Sequence, residues 1–73
     1  MPRVTANEVL AALQRAGWYV SRQGKSSHVI LRHGTRPGVV PVPMHAGNVV
    51  KAGTLNSMLK QAGLTVEEFR RLL

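Results

Sequence analysis

Two prolines separated by a single residue set the strongest constraint on how this chain can fold. Pro41 and Pro43 stand in the run 39–43, where the other three residues are valines. Successive backbone N–H groups of a strand point to opposite edges, so both prolines remove a donor from the same edge. Such a strand pairs through its other edge and belongs at the border of a sheet. The sequence therefore predicts a border strand at 39–43, which also discourages aggregation through that edge.

Two capping boxes indicate where two helices begin. Thr5 is followed three residues later by Glu8, and Thr65 is followed by Glu68 at the same spacing. In this arrangement each threonine hydroxyl accepts from the glutamate amide, and each glutamate accepts from the threonine amide. The first box predicts a helix over residues 5–16, and the second predicts a C-terminal helix. The inward residues of the C-terminal helix are predicted to be Phe69 and Leu72, with Leu73 as a third candidate.

A further helix is predicted between these two. Thr54 is a suitable N-cap residue, and Gly63 is a suitable C-terminal stop. Apolar residues recur between them at helical spacing, at Leu55, Met58 and Leu59.

The region 18–33 predicts a hairpin of two strands. Residues 18–22 and 26–33 are rich in strand formers, and Gly24-Lys25 between them is suited to a tight turn. Alternation places Trp18 and Val20 on one face of the first strand. In the second strand it places Val29 and Leu31 towards the helices and His28 and Arg32 on the open face. The predicted fold is α+β, with a three-stranded antiparallel sheet, helices on one face, the order α-β-β-β-α-α and a single domain over residues 1–73.

The charge of the chain indicates a polyanionic partner. Ten Lys and Arg face three Glu and no Asp, and no acidic residue occurs between Glu8 and Glu67. Nucleic acid is the first candidate partner, and an acidic protein surface is the second. The chain contains no cysteine, no apolar run of membrane-spanning length and no signal-peptide pattern. We therefore expect a cytoplasmic protein without a membrane partner.

His28 is the candidate for chemistry. It stands where a basic, polar turn becomes a strand. A metal site is not expected because Asp and ligand-spaced histidines are absent, and a bound cofactor is not expected because the chain has no P-loop and no dinucleotide fingerprint. An imidazole suits metal-free acid–base cleavage of RNA, in which the 2′-hydroxyl attacks the adjacent phosphorus. The candidate RNA contacts around it are Arg22, Lys25, Ser26, Ser27, Arg32, Arg36 and Lys51.

The chain resembles the HicA family of toxin–antitoxin systems, which are small ribonucleases that cut messenger RNA. The resemblance lies in 22–23 (Arg-Gln), 27–28 (Ser-His), 42–45 (Val-Pro-Met-His), 53–55 (Gly-Thr-Leu), 59–64 (Leu-Lys-Gln-Ala-Gly-Leu) and 67–69 (Glu-Glu-Phe). These motifs follow the family's order across nearly the whole chain. Ser26 departs from the family, which usually has glycine there.

The resemblance implies a fold like that of double-stranded-RNA-binding domains, and it implies that His28 is the catalytic residue. It also implies a HicB-type antitoxin that covers the His28 site, and mRNA as the substrate. His45 lies in the matching Pro-x-His element, where its role is either catalytic support or structure. Two other functions stay open at this point: a non-catalytic RNA-binding module and a domain that binds an acidic protein.

Overall fold

Three helices and three strands follow one another along the described part of the chain. They are α1 (Ala6–Arg15), β1 (Trp18–Gln23), β2 (His28–His33), β3 (Val40–Pro43), α2 (Ala52–Ala62) and α3 (Val66–Leu72). The computed structural model describes residues 2–23, 28–44 and 49–73. The strands form one antiparallel sheet in the order β1-β2-β3. This order confirms the predicted α+β fold, while the turn at 24–25 lies outside the described residues.

The strand with two prolines lies at a border of the sheet, as its composition predicts. Within the described chain, β3 pairs with β2 alone, with Val40 opposite Leu31 and Pro43 opposite His28. It begins at Val40, one residue later than expected, and Val39 is exposed. The missing proline donors therefore cost no hydrogen bond within the sheet.

One face of the sheet carries the core, and the helices cover it. Alternate residues of the strands point to this face and are buried, namely Trp18, Val29, Leu31, Val40 and Val42. Each helix contributes fully or almost fully buried side chains to the same cluster, among them Val9, Leu13, Leu55, Leu59 and Phe69. The opposite face of the sheet is left open, which positions His28 and Arg32 at the surface.

Both predicted capping boxes form. The Thr5 amide donates to Glu8 Oε1 at 2.8 Å, and the Thr65 amide donates to Glu68 Oε1 at 2.9 Å. The reverse bonds, from each glutamate amide to the threonine hydroxyl, are 3.3 and 3.1 Å long. The hydrogen bond from the Thr65 backbone lowers the pKa of Glu68, with smaller contributions from the Thr65 side chain and the Arg36 charge.

The prediction that Thr54 caps α2 is wrong. The helix begins three residues earlier, at Ala52, and Lys51 occupies the N-cap position with extended backbone angles. The cause is tertiary: the Val50 amide donates to the Val4 carbonyl at 2.8 Å, and Val49 forms an antiparallel bridge with Thr5. The helix starts as soon as this bridge ends, so Thr54 lies in its first turn. Its C-terminal stop at Gly63 is confirmed by a left-handed φ of 71°.

A β-bulge in β1 changes which face its second half presents. Val20 lies opposite Leu31, but Arg22 lies opposite Ile30, so Ser21 has no partner on β2. Strict alternation would turn Arg22 towards the helices with Trp18, whereas the extra residue moves it to the open face. Val20 keeps the face of Leu31 but remains 44% exposed, because β1 forms the other border of the sheet.

His33 serves the fold rather than the open face. The Thr35 amide donates to its Nδ1 at 3.1 Å, and since an amide N–H can only donate, the ring proton lies on Nε2. Nε2 then donates to the Ala16 carbonyl at 3.1 Å. The ring also meets Trp18 edge-on, with the centroids 5.3 Å apart. His33 therefore ties the end of α1 to the end of β2.

Replacing Gly17 with alanine is expected to lower the free energy of unfolding by about 1–3 kcal/mol, the usual cost of a strained backbone. Gly17 has a φ of 100°, and a Cβ there would lie 2.5 Å from His33 Nε2. The measurement is urea denaturation, with Gly34→Ala as the control. A Cβ on Gly34 would meet no described atom within 4 Å, so this control should unfold like the wild type. Equal midpoints for the two variants would contradict the argument.

Candidate active site

His28 is presented at the edge of the open face by two paired strands. It is the first residue of β2 and lies opposite Pro43, the last residue of β3. Its side chain is exposed, while the next residue, Val29, is buried in the core. The sheet therefore fixes the backbone of His28 and leaves the imidazole accessible to a ligand.

The His28 cleft is a depression formed where the ends of four elements meet. Its volume is about 480 Å³, and it is lined by Ala6, His28, Pro43, Val49, Val50, Lys51 and Thr54. The bridge between Val49 and Thr5 creates it, because the bridge holds the start of α2 beside the start of α1 and the end of β3. Among the residues that the structure describes, none that lines the cleft is acidic, and Lys51 lies there at the N-cap of α2.

A second depression, the α2 groove, continues from the His28 cleft between α2 and β3. It is lined by His28, Pro41, Pro43, Gly53, Thr54, Ser57, Met58 and Gln61. His28, Pro43 and Thr54 line both depressions. The imidazole therefore lies where they join.

Two of the predicted basic contacts share the open face with His28. Arg22 lies opposite Ile30, which is two residues from His28 along β2, and it reaches this face through the bulge. Arg32 lies opposite Tyr19 and is about 13 Å from His28 at the rise of an extended strand. Both side chains are exposed. Arg22 is therefore closer to His28 than Arg32 is, and Lys51 lines the same cleft as His28.

Arg36 does not join the group around His28. Its guanidinium packs against Gly63 at the C-terminal end of α2, where a Cβ would collide with it. It also lies close enough to Glu68 to help lower the pKa of that carboxyl. The reason is topological, because Arg36 follows β2 at the end of the sheet opposite to the one where β2 begins. The remaining predicted site residues, Lys25, Ser26, Ser27 and His45, lie outside the described residues.

The carboxylates of the described chain do not form a metal-binding group. Two of the three glutamates, Glu8 and Glu68, accept hydrogen bonds in the capping boxes. Within residues 2–23, 28–44 and 49–73, no three histidine or carboxylate side chains converge. In the same ranges, no helix is both long and apolar enough to cross a membrane.

Sequence reasoning missed the polar side chains that α2 presents to the site. The sequence predicts Thr54 as a helix cap and predicts no role for Ser57 or Gln61. Their spacing of three and four residues is the signal that could have identified them, since it places all three on one face of a helix. What the spacing could not show is that this face borders β3.

The fold and the site together define a small, basic α+β protein with an exposed histidine where two surface depressions join. The family model described as "HicA toxin of bacterial toxin-antitoxin" matches residues 6–64, from the start of α1 to just beyond α2. The chain therefore belongs to the HicA toxin family. It is the toxin of a toxin–antitoxin system, and its partner is an antitoxin. No curated protein matches the chain.

Proposed function

We propose that this toxin is a metal-independent RNA endonuclease, an mRNA interferase that uses His28 as its acid–base group. The observation that carries the proposal is the position of the imidazole, exposed at the junction of the His28 cleft and the α2 groove. An enzyme that cuts within a strand must hold nucleotides on both sides of the scissile phosphate. Two depressions that join at one histidine suit that requirement.

The proposed reaction needs one proton acceptor that later becomes a donor. The neutral imidazole of His28 takes the proton from a ribose 2′-hydroxyl, and O2′ forms a bond to the adjacent phosphorus. The bond from phosphorus to O5′ breaks, and the imidazolium returns its proton to O5′. The products are a 2′,3′-cyclic phosphate and a free 5′-hydroxyl. The RNA supplies the nucleophile, so the protein supplies proton transfer and positioning.

Positive charge beside His28 would hold the phosphate and stabilise the charge that develops on its oxygens. Lys51 lines the same cleft. The first turn of α2, where the backbone amides are free, contains no acidic residue. No described side chain caps that helix start. Cationic side chains and helix N-termini both favour phosphate. Arg22 and Arg32 extend the positive surface along the open face of the sheet.

The antitoxin is proposed to be of the HicB type and to act by covering the His28 site. Positive residues flank the site, and none of the described residues that line the cleft is acidic. An electronegative antitoxin surface would be steered to this region and would compete with RNA for it. Because mRNA is the proposed substrate, the activity belongs in the cytoplasm.

Purified toxin is expected to cut single-stranded RNA in the presence of EDTA. The reason is that few carboxylates are available to bind a metal ion, since the chain has no Asp and two of its three glutamates are engaged in capping. The measurement is a cleavage time course with analysis of the product ends. A DNA of the same sequence is the control and should stay intact, because it lacks the 2′-hydroxyl.

Two outcomes would contradict this proposal in different ways. Cleavage that stops in EDTA and returns with added Mg²⁺ would show that a metal takes part. RNA binding without any cleavage would favour the alternative, a non-catalytic RNA-binding module, which the exposed Tyr19, Arg22 and Arg32 of the open face would equally serve.

A further inference from the structure

We infer that the α2 groove is a recognition site for the bases of single-stranded RNA, next to the phosphate that is cut. The inference rests on the proposed function and adds a site that determines specificity. It assigns the hydrogen-bonding role to Ser57 and Gln61, with Thr54 at the end shared with the His28 cleft.

The groove has the two kinds of surface that an unstacked base requires. Its floor includes the half-buried rings of Pro41 and Pro43 and the buried Met58, which offer apolar contact to the face of a base. Its α2 wall presents exposed hydroxyl and amide groups that match the hydrogen-bonding edge of a base. Proteins recognise the sequence of RNA mainly through single-stranded bases, by stacking on the face of a base and by hydrogen bonds to its edge.

The polar side chains of this wall are available for a ligand. Among the described residues, none of the Thr54, Ser57 and Gln61 side chains has a hydrogen-bond partner, and all three are exposed. A glutamine amide can both donate and accept, so Gln61 can pair with a base edge in a directional way. Neither Ser57 nor Gln61 is charged, so their contribution would discriminate between bases rather than attract phosphate.

The dimensions and charge of the groove favour RNA as its occupant. From Thr54 to Gln61, α2 rises by about 10 Å, a length of the order of a few nucleotides. The volume of about 340 Å³ falls in the range of sites that hold small organic groups. Lys51 lines the His28 cleft that adjoins the groove, and the whole chain carries a formal charge of +7. A polyanion entering from the cleft therefore meets positive charge first and base-sized space beyond it.

The test measures binding without cleavage. Labelled 2′-O-methyl oligonucleotides of A, C, G or U are titrated with wild type, Ser57→Ala and Gln61→Ala, and affinities are taken from fluorescence anisotropy. Asn56→Ala is the matched control, because Asn56 is exposed on the same helix and does not line the groove. Alanine favours the helix at all three exposed positions, so the variants are expected to fold, which circular dichroism checks.

The expected result is a selective loss. Ser57→Ala and Gln61→Ala should each weaken binding of the preferred oligonucleotide by about 3–10-fold, the usual effect of one net hydrogen bond, and should flatten the preference among the four. Their salt dependence should equal that of the wild type, whereas Lys51→Ala should lower the salt slope by about 0.7. Asn56→Ala should bind like the wild type.

Failure of this inference is distinguishable from failure of the proposed function. If wild type binds the oligonucleotides, and Ser57→Ala and Gln61→Ala bind each of the four with the same affinity as wild type, the groove does not recognise bases. If Ser57→Ala and Gln61→Ala lose affinity by the same factor for all four bases while Asn56→Ala binds like wild type, the groove contacts the backbone and base recognition is overturned. Loss of cleavage in EDTA would contradict the proposed mechanism without affecting this binding result.

Discussion

His28→Ala is expected to lower the rate of RNA cleavage by about 10²–10⁴-fold, the usual contribution of one positioned acid–base group. The fold should survive, because His28 is exposed on the open face and contributes nothing to the buried cluster. Substitutions at such positions change stability by about 0.5 kcal/mol or less. Most of the RNA affinity should also survive, since cationic contacts to phosphate supply most of the binding free energy. The measurement is a cleavage time course at saturating RNA, combined with a binding isotherm and a thermal melt.

His33→Ala is the matched control for that experiment. It removes the same type of side chain from the same strand, but from the face that packs against Trp18 and the end of α1. We expect it to lower the melting temperature and to leave the rate per folded molecule unchanged. If folded His28→Ala cuts RNA within about threefold of wild type, its proposed role is wrong, since acid–base groups contribute far more. His45 would then be the residue to test.

Phe69→Ala is expected to lower the free energy of unfolding by about 3–5 kcal/mol. Phe69 is fully buried and is the largest fully buried side chain in the described part of the chain, so its removal leaves a cavity beneath α3. A domain of this size has only a few kcal/mol of net stability, so the variant should be largely unfolded at ordinary temperature. Urea denaturation followed by circular dichroism gives the free energy for both proteins.

The control for Phe69 lies at the end of the same helix. Leu73 is 51% exposed, and Leu73→Ala should change the free energy of unfolding by about 0.5 kcal/mol or less. A Phe69 variant that unfolds at the same urea concentration as the Leu73 variant would show that α3 does not complete the core. Cleavage activity of Phe69→Ala should fall in proportion to its folded fraction, which separates it from the loss expected for His28→Ala.

The features that sequence alone determined depend on interactions between near neighbours. The capping boxes of Thr5 and Thr65 need only residues three positions apart, and both form. The border position of β3 follows from Pro41 and Pro43, because a missing donor limits pairing in any tertiary context. The helix at 5–16 and the strand pattern were likewise predictable to within a residue or two. The face of His28 followed from alternation along β2.

Tertiary structure alone decided how the site is assembled. The start of α2 is set by the bridge between Val49 and Thr5, residues 44 positions apart, so local capping preference at Thr54 was overruled. Arg22 reaches the open face because of a bulge whose position depends on pairing with β2. Arg36 leaves the site because β2 carries it to the far end of the sheet. Each of these features depends on contacts between distant segments, which no pattern of neighbouring residues encodes. Such contacts bring His28, Lys51 and the polar face of α2 together.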